Sequence, residues 1–352
     1  MRAEIEIRGA GPVGCALALL LARQGNSVAL VANAAKDKEK AFRPLALSYA
    51  SRLILERVGA WEALLPTPIE KIRVSQQGAF GRARLTATDA DVPALGYVVP
   101  YVDLLAALRE ELKKNAISFE STPAPARLVV HAEGVSDDAK AKRYPHDALV
   151  ASVSVEPAAG TTAWERFTPE GPLALLPLAG RYAAVWAMGA ERAQKLAAAP
   201  GAEFLRALQQ AFGDRAGHFT TAADRVQVPL ALRVRAARIG AREAYVGNSA
   251  QSLHPVAGQG LNLGLRDAWD LAQVLRDARD PGEERLLARY SAMRRLDAVA
   301  TMRATDLLAR GFLGVGPARR LIRGIGLTAL DTCLPARRFF ARRMIFGASA
   351  LP

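Results

Sequence analysis

The sequence is short of the residues that staple, chelate or anchor a chain. Two cysteines in 352 residues, Cys15 and Cys333, build no disulfide framework, and both read as reduced core thiols. Four scattered histidines offer no metal-ligand spacing, so no metal is expected. No run of about 18 uncharged apolar residues occurs, so no spanning helix is expected. The first apolar run follows a charged start and is broken by glycines, which argues against a secretory leader. Gly-x-Ser-x-Gly is missing, and with it any support for acyl transfer. There is no internal repeat and no nucleic-acid-binding signature. Acidic residues are the scarcer sign: 47 Lys and Arg against 34 Asp and Glu leave +13. With no nucleic acid as partner, that charge points to a membrane surface.

What is present is globular. Hydrophobic residues make up 51% of the chain and charged ones 23%, enough for about two domains. Glu4–Ile7 reads as a strand, Ala16–Arg23 as an apolar helix and Ser27–Val31 as a second strand. Between the first two lies Gly9-Ala10-Gly11-Pro12-Val13-Gly14. Gly-x-Gly-x-x-Gly inside a βαβ unit suits a dinucleotide diphosphate: the glycines allow a tight turn, close approach of phosphate and close helix–strand packing. The acidic residue expected at the end of the second strand, to hold a ribose, is replaced by Asn33, which can accept a ribose hydroxyl.

Far along the chain a second turn has the same layout. The strand Ala244-Tyr245-Val246 runs into Gly247-Asn248, then His254-Pro255 and Gly258-Gln259-Gly260. Leu261, Leu265, Ala268, Ala272 and Leu275 follow on one helical face. Unpaired N–H groups at such a helix start suit an anion or an electron-rich ring edge.

The stretch GNSAQSLHPVAGQGLNLGLRDA closely resembles the second FAD motif of the aromatic-ring flavoprotein monooxygenases, in the variant of the ubiquinone-biosynthesis hydroxylases. Trp164 to Leu178 resembles the same family. The resemblance implies an α/β fold: a Rossmann-like FAD-binding domain with a parallel sheet, interleaved with a mostly antiparallel substrate sheet and followed by C-terminal helices. It implies that Gly247 and Asn248 meet the ribityl and diphosphate part of FAD. Pro255, Gly258, Gln259, Gly260, Leu261 and Asn262 would lie against the isoalloxazine ring, and Gly9, Gly11, Pro12, Val13, Gly14 and Asn33 would meet the rest of the cofactor. Arg43 is either the family's cofactor-side arginine or an ordinary surface residue. At Glu133-Gly134 the family has Asp-Gly, and Ser136 with Lys140 or Lys142 would have to complete that motif.

The FAD-binding domain is expected over 1–70, 98–147 and 240–310, the substrate domain over 71–97 and 148–239, and a helical segment over 311–352. That last segment mixes phenylalanines with Arg319, Arg320, Arg323, Arg337, Arg338, Arg342 and Arg343. It reads as a packed helix pair with a basic solvent face or as an amphipathic surface on anionic lipid, and the two are compatible.

The implied chemistry is hydroxylation of a polyprenylated phenol in ubiquinone biosynthesis. NAD(P)H reduces FAD, O2 is taken up, and a flavin hydroperoxide is attacked by the ring. No acid/base residue is required; His254 either caps its turn or takes part. The expected partners are a hydrophobic phenol, O2, a membrane surface and other quinone-biosynthesis proteins. The expected location is cytoplasmic, with peripheral attachment to the inner face of the cytoplasmic membrane. The alternatives are another flavin-dependent hydroxylase or prenyl reductase, and a non-catalytic homologue serving as an accessory subunit of a quinone-biosynthesis complex.

Overall fold

The computed structural model describes residues 4–31, 42–117, 119–120, 122, 125–134, 140–252, 259–295, 297 and 317–347. In chain order the first part holds β1 (Ile5–Arg8), α1 (Pro12–Ala22), β2 (Val28–Val31), β3 (Pro44–Ser48), α2 (Tyr49–Arg57), β4 (Thr67–Ile69), β5 (Lys71–Gln76), β6 (Arg82–Thr86), α3 (Ala87–Ala90), β7 (Gly96–Pro100) and α4 (Tyr101–Lys114). The middle holds β8 (Phe119–Glu120), β9 (Leu128–His131), β10 (Lys140–Glu156), β11 (Thr162–Phe167), β12 (Pro172–Leu178), β13 (Arg181–Gly189), α5 (Ala190–Ala198), α6 (Gly201–Phe212) and β14 (His218–Val234). The last part holds β15 (Ile239–Gly240), β16 (Glu243–Tyr245), β17 (Gln251–Ser252), α7 (Gln259–Leu275), α8 over 284–295, α9 (Pro317–Thr332) and α10 (Leu334–Phe346).

β1 lies at the centre of a six-stranded sheet ordered β15-β16-β9-β1-β2-β8, parallel except for the β15–β16 pair. A strand covered on both faces must be apolar, and Ile5 and Ile7 are fully buried. Glu6 between them is buried too, and its carboxylate pairs with Arg8 at 2.6 Å. α1 begins at Pro12, four residues before the expected Ala16, with Gly11 as its N-cap. Proline is well placed there because the first turn needs no N–H from it.

The second sheet has eight strands in the order β17-β14-β10-β13-β12-β11-β5-β6, antiparallel except where β11 runs alongside β5. β12 and β13 turn back across Ala179-Gly180, both at positive φ, as a two-residue hairpin demands. Alternation along the strands gives this sheet two faces. Trp164, Leu175, Tyr182, Trp186, Leu149 and Val153 bury the outer face under α5 and α6, which contribute Leu196, Phe204, Leu208 and Phe212. The inner face carries Ala163, which packs with Ile69 and Val98 of the small sheet β3-β7-β4.

α9 and α10 close the outer end. α9 crosses edge strand β6, where Gly324 lies against Phe80, and Asp331 accepts from the Arg84 backbone at 2.9 Å. Covering an edge strand protects its unpaired backbone groups. Cys15 is buried, as expected, but Cys333 is exposed. Cys333 caps α10 between two helices, where the chain must turn at the surface.

Candidate functional site

Both glycine turns abut the parallel sheet, and they meet through Val13. This side chain lies within 3.2 Å of where a Cβ on Gly247 would be and 2.7 Å of one on Gly264, so α1 and α7 cross closely there. The three glycines of the first turn divide their labour. A Cβ at Gly9 would fall 2.4 Å from the Ala132 carbonyl oxygen, and one at Gly14 would fall 1.9 Å from the Gly9 oxygen. These two serve packing. A Cβ at Gly11 would meet nothing within 4 Å. α1 has no side-chain cap, so its first N–H groups face that open space. An open cradle at an uncapped helix start fits an anionic diphosphate.

At the second turn, Gly247 at φ +59° ends β16 and reverses the chain, leaving Asn248 exposed. The Gly247 N–H donates to Asp267 Oδ2 at 3.0 Å. Asp267 is fully buried, and Arg294 Nε on α8 donates to its other oxygen at 2.6 Å. Arg294 also reaches Asp270 and Asp297, both at 2.8 Å, while Arg266 Nε donates to Asp297 at 2.9 Å. Arg238 closes the group near Asp267 at 3.5 Å. Three arginines thus balance three aspartates. Burial opposes the Arg294 charge, yet the three carboxylates hold its guanidinium above its ordinary pKa. Burial also raises the Asp270 carboxyl. This network pins the turn from beneath. Of this network only Arg266 and Asp267 lie in the glycine-rich stretch; Arg238, Arg294 and Asp297 come from outside it. Asp267/Asp270 and Arg294/Asp297 at helical i, i+3 spacing were the available signal.

The α7 start is held as firmly. Asn262, expected at the flavin ring, spends its side chain inside the protein. Its Oδ1 accepts from the Ser48 backbone at 2.8 Å and from Ser51 Oγ at 2.7 Å, and its Nδ2 donates to the Ala46 carbonyl at 2.9 Å. Its side chain therefore ties α7 to β3 and α2. The space beside Gly260 is open. Leu261 is half-buried against the core. Arg43 is exposed, with its guanidinium 4.6 Å from the Tyr101 ring centre. Glu133 ends the central β9 and bonds His131 Nδ1 at 3.2 Å. Burial opposes its ionisation, but His131, its own backbone and Arg8 hold its carboxyl below the usual range. Gly134 accepts from Ser249 Oγ at 3.0 Å, which joins this corner to the second turn. Asn33, Ser136, His254, Pro255 and Gly258 lie outside the described residues, as does the Gln259 side chain.

The FAD binding domain family matches residues 2–143 and 126–305. The chain is 32% identical to the ubiquinone hydroxylase UbiL of Rhodospirillum rubrum, over 97% of this chain and 89% of the relative. It is 30% identical to the 3-demethoxyubiquinol 3-hydroxylase of Escherichia coli, over 93% and 94%. The chain belongs to this family of FAD-dependent hydroxylases. The hydroxylase also shares its fold with a probable FAD-dependent monooxygenase of Pseudomonas aeruginosa, at a TM-score of 0.76 and 23% identity over 92% of this chain and 99% of the other. The open, uncapped helix start at Gly11 fits the diphosphate of FAD.

Proposed function

We propose that the hydroxylase oxygenates the ring of a polyprenylated phenol in ubiquinone biosynthesis, with NAD(P)H as reductant and O2 as oxygen source. The observation that carries this reading is the open, uncapped helix start at Gly11, together with the open space beside Gly260 in the first turn of α7, among the described residues. The α1 N–H groups hold the diphosphate, and Asn248 meets the ribityl chain. Pro255, Gly258 and Gln259 meet the ring side. Asp267 and Asn262 act one step back, by fixing the backbone of those turns. FAD, when bound and reduced, supplies an electrophilic oxygen drawn from O2. The protein's part is to orient the phenol and keep water from the reacting atoms. The inner face of the eight-stranded sheet suits that task, because Val74, Ala174, Val185 and Val150 make it apolar and small.

Oxygenation of an ortho-farnesylphenol under heavy-isotope O2 is expected to place one labelled oxygen in the product. Label arriving from heavy-isotope water instead would remove the monooxygenase reading.

The reading includes peripheral attachment to a membrane, where such a phenol resides. No helix among the described residues is long and apolar enough to cross one. α9 exposes Leu321, Ile322 and Ile325, and α10 exposes Phe339 beside Arg338 and Arg342. Arg337, which the sequence grouped with them, is instead structural: it pairs with buried Asp89 at 2.9 Å and donates to the Asp331 carbonyl at 2.7 Å. A basic residue near an anionic surface contributes about 1 kcal/mol. The double variant Arg338→Gln, Arg342→Gln should therefore bind anionic vesicles roughly thirtyfold more weakly at low salt and neutral ones unchanged. Cosedimentation across a salt series measures this. Equal binding by both proteins would leave these helices a packed pair with a solvated face.

A further inference from the structure

Glu165 is an acid in an apolar place. It lies on β11 between Ala163 and Phe167, and alternation puts all three side chains on the inner face of the sheet. Ala163 is covered by Ile69 and Val98, and Arg323 of α9 lies 5.5 Å from the Phe167 ring centre. Glu165 is therefore flanked by the small sheet at one end and α9 at the other. Its cross-strand neighbours are Val74 on β5 and Ala174 on β12, with Val185 beyond. Part of the residue's surface remains open, but Oε1 is fully covered and has no hydrogen-bond partner among the described residues. An unpartnered carboxyl oxygen is costly to bury, and it marks a place where a hydrogen-bonding ligand would be welcome.

We propose that Glu165 receives the ring hydroxyl of the phenolic substrate and acts as the base that takes its proton during oxygenation. This rests on the hydroxylase reading above. The phenol O–H bond breaks and the proton passes to the Glu165 carboxylate. The electron pair left on oxygen spreads into the ring, and a ring carbon bonds to the electrophilic oxygen that O2 and NAD(P)H provide through the cofactor. As the O–O bond breaks, the ring loses its hydrogen as a proton to regain aromaticity; that proton leaves with the second oxygen atom as water, and the acid returns its proton to the former phenol oxygen. The residue ends as a carboxylate. A phenol is a far better nucleophile as its anion, so the base acts where the reaction needs it.

The charges around the site are few. β12 turns Ala174, Leu176 and Leu178 to this face, β13 turns Ala183, Val185 and Ala187 with Arg181 at its far end, and β5 adds Ile72, Val74 and the amide Gln76. Arg166 of β11 projects to the other face, toward Ser75 and the Ala211 carbonyl. Glu70 sits at the start of β5, bonded to Thr161. From α9, Arg323 lies over the neighbouring Phe167 ring. Burial alone pushes the Glu165 carboxyl up to about 8. The ionised fraction then falls about tenfold for each pH unit below that value. Wild-type kcat/KM on ortho-farnesylphenol should accordingly rise with pH and level off above about 8.

The test compares FAD-loaded wild type with Glu165→Gln, with Glu165→Asp as the conservative variant. In Glu165→Gln, kcat/KM should fall about 100-fold and lose its rising limb, and Glu165→Asp should restore part of both. Binding is read separately, from the change in bound-flavin absorbance on adding ortho-farnesylphenol or its methyl ether. Wild type should prefer the phenol, and Glu165→Gln should bind the two alike. A thermal arm reports burial independently of catalysis. A carboxyl whose folded pKa is raised from 4.5 costs the folded state stability as pH climbs from there to about 8. Glu165→Gln should thus melt higher than wild type at pH 8 and converge with it near pH 4. A Glu165→Gln variant that melts so, yet keeps the rising limb and the phenol preference, overturns the proposal. Wild type that binds the phenol with the stated preference but incorporates no oxygen points instead to failure of the hydroxylase reading.

Discussion

Gly11→Val is expected to fold and to purify without flavin. Gly11 sits at φ −74° and ψ 175°, extended backbone that valine adopts readily. Its Cβ would touch no atom of the described residues within 4 Å, so their packing has nothing to lose. The same space is where a diphosphate would approach the α1 N–H groups, and a branched side chain there keeps it away. FAD affinity should drop by more than about tenfold, equivalent to about 1.4 kcal/mol, with the melting curve of the apoprotein unchanged. Gly9→Ala makes the contrasting case. At φ +109°, with the Ala132 backbone 2.4 Å from the new carbon, it should lose stability before any question of cofactor arises. Flavin absorbance per mole of protein decides the first, and thermal melts the second. If Gly11→Val copurifies with wild-type flavin, the diphosphate lies elsewhere.

Arg294→Met should be the most destabilising single substitution beneath the site. It removes the partner of three carboxylates at once and leaves Asp267 and Asp297 buried, with Arg238 and Arg266 as their remaining cations. Breaking a buried pair by deleting one partner costs about 3–5 kcal/mol, because the abandoned charge has no water. For a chain of this size the melting temperature should fall by on the order of 10 °C. The surface pair Lys113–Glu110, at a comparable 2.6 Å, offers the control, since both groups stay solvated and Lys113→Ala should change nothing measurable. Because Asp267 also holds the Gly247 N–H, Arg294→Met should loosen flavin binding as well as the fold. A melting temperature within about 2 °C of wild type would show that the network adds little to stability.

The two glycine-containing stretches stand out in the sequence because short-range physics writes them locally. Gly9, Gly11 and Gly14 stand at fixed spacing between a strand and a helix. Gly247, followed by a helical pattern from Leu261, repeats the arrangement. The hairpin at Ala179-Gly180 and the inward apolar alternation of β12 and β13 are local too, and all three set the architecture before any long-range contact is considered. Which of the glycines faces a ligand was not legible. Gly9, Gly11 and Gly14 look equivalent in sequence, and only the approach of Ala132 and of the Gly9 carbonyl separates packing from cradle.

Side-chain roles divided the same way. Asn262 sits in a stretch that reads as ring-binding, but Ser48, Ser51 and Ala46, over 200 residues away, claim its amide. Arg337 reads as one of a run of surface cations, until Asp89 from a different element takes it inward. Nothing in its local pattern marks Glu165, and it is burial in the folded protein that raises its carboxyl. The sequence by itself determined the first strand–turn–helix unit, the β12–β13 hairpin and the FAD family, because these depend on backbone conformation and nearest neighbours. The tertiary structure decided which polar groups are consumed by the fold and which remain for chemistry. That follows from burial: a polar group's fate depends on the partner that reaches it, and here the partners come from far along the chain.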